Sequence, residues 1–189
     1  MSSYGDSLRC MTLAQHLETF RGWRDILKVN YDSTIGTFCN DYTNLLQELH
    51  TEQKPITPTE LEAMSQHNQE YVLFMMRNMQ MLATAQASLM FPALVPTVHI
   101  SNVVVDISCR GQGHGEMIML YLRKLCLETW GRQHGQLRFI LTSQSKRGIQ
   151  DFYKRLGFIP TETIRYTLWK YGAPALSGAS LTFLLYWTD

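Results

Sequence analysis

Residues 99–122, HISNVVVDISCRGQGHGEMIMLYL, run from a β-branched stretch through three glycines into a helical pattern. Val103, Val104 and Val105 close the first part, and Gly111, Gly113 and Gly115 follow at alternate positions behind Arg110. Apolar residues then recur at helical spacing to Trp130. The order is strand, glycine loop, helix. Glycines at this density permit left-handed backbone or a close approach to another group. Two familiar nucleotide loops fail on spacing. The dinucleotide fingerprint needs a glycine where Glu116 stands, and a P-loop needs Lys-Ser or Lys-Thr where the chain has Glu-Met. What remains is a plain turn or an anion nest. In the nest, N–H groups of the loop and of the helix start face a negative ligand, with Arg110 as countercharge.

Downstream, LRFILTS (137–143) has the pattern of a buried strand, and SKRGIQDFYKRLG (145–157) that of a helix stopped by Gly157. A helix between two strands makes them parallel neighbours, here around residues 99–142. TETIRYTLW (161–169) and SLTFLLYW (180–187) are expected as closing strands about a small-residue loop at 172–179. Upstream, EYVLFMMRN (70–78) and QMLATAQASLMF (80–91) predict a hairpin, although the methionines also suit a helix through Tyr71–Met81. Two amphipathic helices come earlier. Leu13, Leu17, Phe20, Trp23, Ile26 and Leu27 mark the first, after a short strand at Leu8–Met11, and Phe38, Tyr42, Leu45, Leu46 and Leu49 mark the second over GTFCNDYTNLLQELH (36–50), with STIGT (33–37) connecting the two. TEQKPITPTE (51–60) is a surface connection leading into a short helix at Thr59–His67. The expected fold class is α/β, one domain over residues 1–189 with its core at 8–166 and a C-terminal strand region at 167–189. Its mixed, twisted sheet should have about seven strands flanked by about four helices.

Composition narrows the function classes. With 45% apolar and 17% charged residues the chain is globular, and a net charge of +1 names no partner. Between Arg110 and Arg155, however, nine basic residues stand against three acidic ones, a local net of +6 that suits an anion or a solvated surface equally. The basic residues lack the aromatic interleaving of a nucleic-acid groove, so no nucleic acid is expected. Cys10, Cys39, Cys109 and Cys126 have no metal spacing, and no basic-then-apolar leader starts the sequence. Free thiols, no metal, no membrane span and a cytoplasmic location are the expectation.

Arg110-Gly111-Gln112-Gly113-His114-Gly115 resembles the R/Q-x-x-G-x-G/A signature of the GCN5-related N-acetyltransferase (GNAT) family, whose loop holds the pyrophosphate of acetyl-CoA. LTSQSKRGIQDFYKRLGF (141–158) resembles that family's second cofactor segment, a strand and then a helix with a Phe-Tyr pair closing in L-G-F. Within the family, VHISNVVVDISCRGQGHGEMIMLYL (98–122) is similar to the central segment of eukaryotic glucosamine 6-phosphate N-acetyltransferases. LKV (27–29), TIGT (34–37) and MLATAQASLM (81–90) extend that likeness, whereas residues 167–189 have no counterpart and are expected as a strand that contacts a dimer partner.

The resemblance implies roles residue by residue. Arg110, Gly111, Gln112, Gly113, His114, Gly115 and Glu116 would hold acetyl-CoA, the last few through main-chain N–H groups. Main-chain groups of Val103, Val104 and Val105 would follow its pantetheine arm, and Tyr153 would be the general acid for the leaving thiolate. Thr34, Ser101, Asn102, Arg138 and Thr142 would line the acceptor site, with Arg138 as phosphate ligand and a homodimer completing the pocket. The subfamily carries acidic residues where this chain has Ser101, Asn102 and Thr142, none of which is a base at neutral pH. His99 and Asp151 are the nearest ionisable groups, and a lone histidine at a strand start is usually structural. The implied activity is acetylation of glucosamine 6-phosphate, against another primary amine (polyamine, arylalkylamine or peptide N-terminus) or acyl-CoA binding without catalysis.

Overall fold

The computed structural model describes residues 8–27, 31–78, 80–91, 95–144, 147–161 and 180–187. Strand β1 (Arg9–Thr12) leads directly into helix α1 (Leu13–Leu27). The turn between them is a reciprocal cap, in which Thr12 Oγ1 accepts from the Gln15 N–H and Gln15 Oε1 accepts from the Thr12 N–H. Helix α2 (Tyr31–Gln47) begins five residues earlier than the pattern from Gly36 suggested, so Thr34 lies inside a helix and not in a connection. The reason is periodicity. Ile35 is buried and continues the row of Phe38, Cys39, Tyr42, Leu45 and Leu46. Helix α3 (Pro58–Ser65) has a full capping box, with Thr57 and Glu60 bonding each other's backbone and Pro58 at the first helical position.

The rest of the chain alternates. Strands β2 (Glu70–Arg77) and β3 (Gln80–Met90) form the hairpin, which removes the helix alternative for Tyr71–Met81. Strand β4 (Thr97–Val105) is followed by the glycine loop and helix α4 (His114–Cys126), whose end continues through a π-helical turn at Leu127–Gly131. Strand β5 (Leu137–Gln144), helix α5 (Arg147–Arg155), strand β6 (Ile159–Thr161) and strand β7 (Ser180–Trp187) complete the order. Five principal helices are therefore described where about four were expected, and the short one at Pro58–Ser65 lies where a short helix was read at Thr59–His67. Helix α5 ends in a Schellman motif. Gly157 sits at φ +89°, its N–H bonds the Lys154 carbonyl, and the Phe158 N–H reaches back to the Tyr153 carbonyl.

The sheet order is β1-β2-β3-β4-β5-β7-β6, with β4 and β5 parallel and the other pairs antiparallel. The strand at Ser180–Trp187 lies between β5 and β6, so it completes the chain's own sheet and is not an edge left for a dimer partner. Most of the expected strand at 161–169 and the loop at 172–179 fall outside the described residues.

Two cores lie on opposite faces of the sheet. Helices α1, α2 and α3 cover Val72, Phe74, Met76 and Val104 on one face. Helix α4 and helix α5 cover Ala83, Ala85, Ala87, Val98, Ile100, Phe139 and Leu141 on the other. The first core includes His16, buried against Phe38 with ring centroids 4.5 Å apart, and burial lowers its pKa to about 4. Folding therefore excludes a proton that the unfolded chain takes up near pH 6.5. The stability contributed is complete above pH 6.5 and lost as the pH falls toward 4, by about 3 kcal/mol in all. Urea midpoints measured across this window should fall steeply in the wild type and much less in His16→Leu.

Candidate functional site

Strand β4 is interrupted by a bulge. Gln86 pairs with Ser101 and Thr84 with Val104, so two steps along β3 oppose three along β4. The extra residue falls at Asn102, which takes the left-handed conformation at φ +50°, a region asparagine tolerates better than most side chains. Its Nδ2 donates to Gln86 Oε1 at 2.9 Å, pinning the bulge to the neighbouring strand. The bulge also reverses the strand's alternation. Before it Val98 and Ile100 face α4, and after it Val103 and Val105 do, while Val104 is buried under α1 and α2.

Beyond the same point β4 and β5 part. Their ladder has four pairs and ends at Ile100 and Leu141, although β4 continues to Val105 and β5 to Gln144. The backbone of Ser101 to Val105 thus has no β5 ladder on that side, which leaves main-chain groups facing an opening between two parallel strands.

The glycine loop lies at the end of β4. Gly111 at φ +78° and Gly113 at φ +83° are left-handed, and a side chain at either would meet open space. Their need for glycine is conformational. Gly115 is different, because an added Cβ would lie 3.4 Å from both Phe152 of α5 and Val105 of β4. That is ordinary van der Waals contact, and Gly115 marks where the start of α4, the end of β4 and Phe152 meet. Gly113 is the N-cap of α4, and no side chain caps the helix. Its first N–H groups therefore remain directed at whatever occupies the loop.

Two side chains of the motif are used differently from what the sequence implied. The guanidinium of Arg110 pairs with Glu48 at the end of α2, and its Nε donates to the Val105 carbonyl at 2.9 Å. Arg110 is therefore tied to α2 and β4, and its charge is already matched by a carboxylate. Glu48 also accepts from the Ile107 N–H at 3.3 Å. His114 is buried beneath the loop, with Nδ1 3.2 Å from the Cys109 carbonyl and Nε2 3.4 Å from the Arg77 guanidinium. These contacts suit the tautomer with its proton on Nδ1. Glu116 is exposed in the first turn of α4.

Tyr153 is 7% exposed among Phe152, Leu156 and Phe158, on the side of the sheet that carries the loop. Burial pushes its phenol up to about 12, so it keeps its proton at neutral pH. On the opposite face of the sheet, past the reach of α1 and α2, lies a polar strip. Ser101 is half-buried there, Thr142 is exposed beyond the β4–β5 ladder, and Arg138 opposes Thr97 with its Nε 3.1 Å from Thr97 Oγ1. Ser101, Thr142 and Arg138 thus share a face, although Arg138 stands at the opposite end of β5 from the opening. Thr34 lies apart, on α2.

Sequence inspection missed Glu48, Arg77 and Gln86, each a partner of a motif residue from a distant segment. It also missed a cavity of about 210 Å³ lined by Asp41, Asn44, Leu45, Glu48, Gln80, Met81 and Asp106, beside the Arg110 anchor. Among the described residues, no helix is long and apolar enough to cross a membrane.

The comparisons with known proteins agree with this geometry. Residues 68–160, from the hairpin through α5, match the family model for an acetyltransferase (GNAT) domain. No curated protein matches the chain at the sequence level. Among solved structures, it resembles an acetyltransferase from Trypanosoma brucei at 21% identity and a TM-score of 0.59, over 83% of this chain and 96% of that one. It resembles glucosamine-6-phosphate N-acetyltransferase from Arabidopsis thaliana at 18% identity and a TM-score of 0.59, over 88% and 99%. The ribosomal-protein-S18-alanine N-acetyltransferase from Escherichia coli aligns at 19% identity and a TM-score of 0.57, over 81% and 90%. At these identities the likeness concerns the fold, and the acceptors those enzymes are named for differ. Residues 68–160 thus match a GNAT acetyltransferase domain, and the chain shares the fold of the acetyltransferases it resembles.

Proposed function

We propose that the protein transfers the acetyl group of acetyl-CoA to the primary amine of glucosamine 6-phosphate. The observation that carries the transfer reaction is the opening between β4 and β5 beyond Ile100 and Leu141, with the glycine nest and Tyr153 on one face and a polar strip on the other. Acetyl-CoA supplies a thioester carbonyl that an unprotonated amine can attack. The chain's own part is to bind, orient and move protons. Main-chain N–H groups of Gly111, Gln112, Gly113, His114, Gly115 and Glu116 hold the diphosphate at the positive end of α4. Backbone groups of Val103, Val104 and Val105 hold the arm that follows. Arg110 belongs to this set as the anchor of the loop, since its guanidinium is occupied by Glu48. The Tyr153 hydroxyl donates its proton to the departing sulfur.

The acceptor assignment rests on the polar strip and on the resemblance of residues 98–122 to the glucosamine 6-phosphate subfamily. Ser101, Asn102 and Thr142 offer hydroxyl and amide groups suited to a sugar. Arg138, held at Thr97, is the phosphate ligand in this reading, four residues along β5 from Thr142, about 13 Å of strand. A homodimer in the cytoplasm, with the pocket completed across two chains, belongs to the same proposal. Release of free CoA thiol from acetyl-CoA, followed across a panel of amines, tests it. Turnover is expected with glucosamine 6-phosphate and should drop sharply with unphosphorylated glucosamine or in Arg138→Gln. Equal turnover of both sugars, or turnover only of a polyamine, arylalkylamine or peptide amine, reassigns the acceptor. CoA binding with no turnover on any amine would make the chain a binding module.

A further inference from the structure

The polar strip contains an aligned row that motif reading alone did not connect. Glu70 of β2 opposes Ser88 of β3, Ser88 opposes His99 of β4, and His99 opposes Ile140 of β5. The four residues stand in one line across the sheet, on the face away from α4, α5 and Tyr153. Ser88 Oγ donates to Glu70 Oε1 at 3.4 Å. Directly opposed residues have Cβ atoms about 4.5–5.5 Å apart, so the serine stands between the carboxylate and the imidazole. His99 is two residues before Ser101, about 7 Å along the strand, at the mouth of the opening between β4 and β5.

The position matters because, among the described residues at the opening, the three next to it carry no base. Ser101, Asn102 and Thr142 stand where the resembling subfamily has carboxylates, and Tyr153 works on the other face as an acid. We propose that His99 takes the proton of the acceptor amine and that Ser88 and Glu70 carry it on toward solvent. This rests on the acetyl-transfer reading above. As the nitrogen–carbon bond forms and the carbon–sulfur bond breaks, one N–H proton passes to His99 and the Tyr153 hydroxyl proton passes to sulfur. His99 then gives a proton to Ser88 while Ser88 gives its own to Glu70, and exchange with solvent restores Glu70 and Tyr153. The sum is amine plus thioester to amide plus thiol.

Among the described residues, the charged groups near His99 on this face are Glu70, reached through Ser88, and Arg138 of the neighbouring strand β5, held by Thr97. Burial lowers the pKa of His99 below the ordinary histidine value, which keeps the ring unprotonated at neutral pH and able to accept. Activity should therefore fall as the pH drops through that lowered value.

Three measurements on the full-length protein test the assignment. His99→Gln should bind CoA in calorimetry as the wild type does, yet lose about 100-fold in kcat, with KM for acetyl-CoA unchanged. The imidazole NMR signal that disappears in His99→Gln identifies His99. In Glu70→Gln its titration midpoint should move further down, because a nearby anion favours the protonated ring. The acid limb of the kcat profile should move with it, and Ser88→Ala should weaken that coupling. Full kcat in His99→Gln, or a His99 midpoint indifferent to Glu70→Gln, overturns the proposal. If His99→Gln fails to fold, Glu70→Gln and Ser88→Ala decide it by the same two readouts. Wild-type protein that does not bind CoA overturns the acetyl-transfer reading and this proposal together, whereas turnover that ignores His99 overturns only the latter.

Discussion

Replacing Tyr153 by phenylalanine is expected to lower kcat by about 100-fold or more while leaving the melting temperature and CoA affinity where they are. The ring of Tyr153 packs with Phe152, Leu156 and Phe158, and phenylalanine preserves that packing. The variant subtracts only the hydroxyl. Burial holds that hydroxyl protonated with a pKa of about 12, so in the wild type a proton is present for the departing thiolate throughout the neutral range. Steady-state kinetics beside thermal melts would separate the two contributions. Undiminished kcat in Tyr153→Phe would return the residue to the core and leave the thiolate to solvent.

Gly113→Val should impair the donor site more than any other single change in the loop. Gly113 sits at φ +83° at the N-cap of α4, where a side chain would meet no neighbour but the backbone conformation penalises every L-residue. A left-handed conformation costs about 1–2 kcal/mol for ordinary side chains and more for a β-branched one, so the loop would rebuild in another conformation. Losing the nest should weaken CoA binding by about tenfold or more in calorimetry. An acetyl-pantetheine thioester, which has no diphosphate to hold, should be used about as well as before. Equal loss on both donors would mean that Gly113 serves the fold and not the anion.

Much of the architecture was legible because its signals are local. The Gly157 stop and the apolar periods of α1, α2 and α4 each depend on residues within a turn or two of one another. The glycine loop was legible for the same reason, as its dihedrals are set by the residues that carry them. The start of α2 lies at Tyr31, earlier than a pattern read from Gly36 places it. In the folded protein the burial of Ile35 outweighs the weak helix preference of one glycine.

By itself, the sequence determined a strand, a glycine-rich loop and a helix start in that order, and a Phe-Tyr helix after the next strand. Only the tertiary structure decided what those parts face. Arg110 meets Glu48 across 62 positions, Asn102 meets Gln86 across 16, and β7 enters between β5 and β6. Glu70, Ser88 and His99 come into line only when three strands are placed in register. A one-residue shift in pairing would send His99 to the other face of the sheet, and the bulge at Asn102 makes such a shift for the valines that follow. Helical spacing and turn chemistry are written along the chain, whereas register, bulges and charge pairs arise between segments whose separation leaves no periodic trace in the sequence.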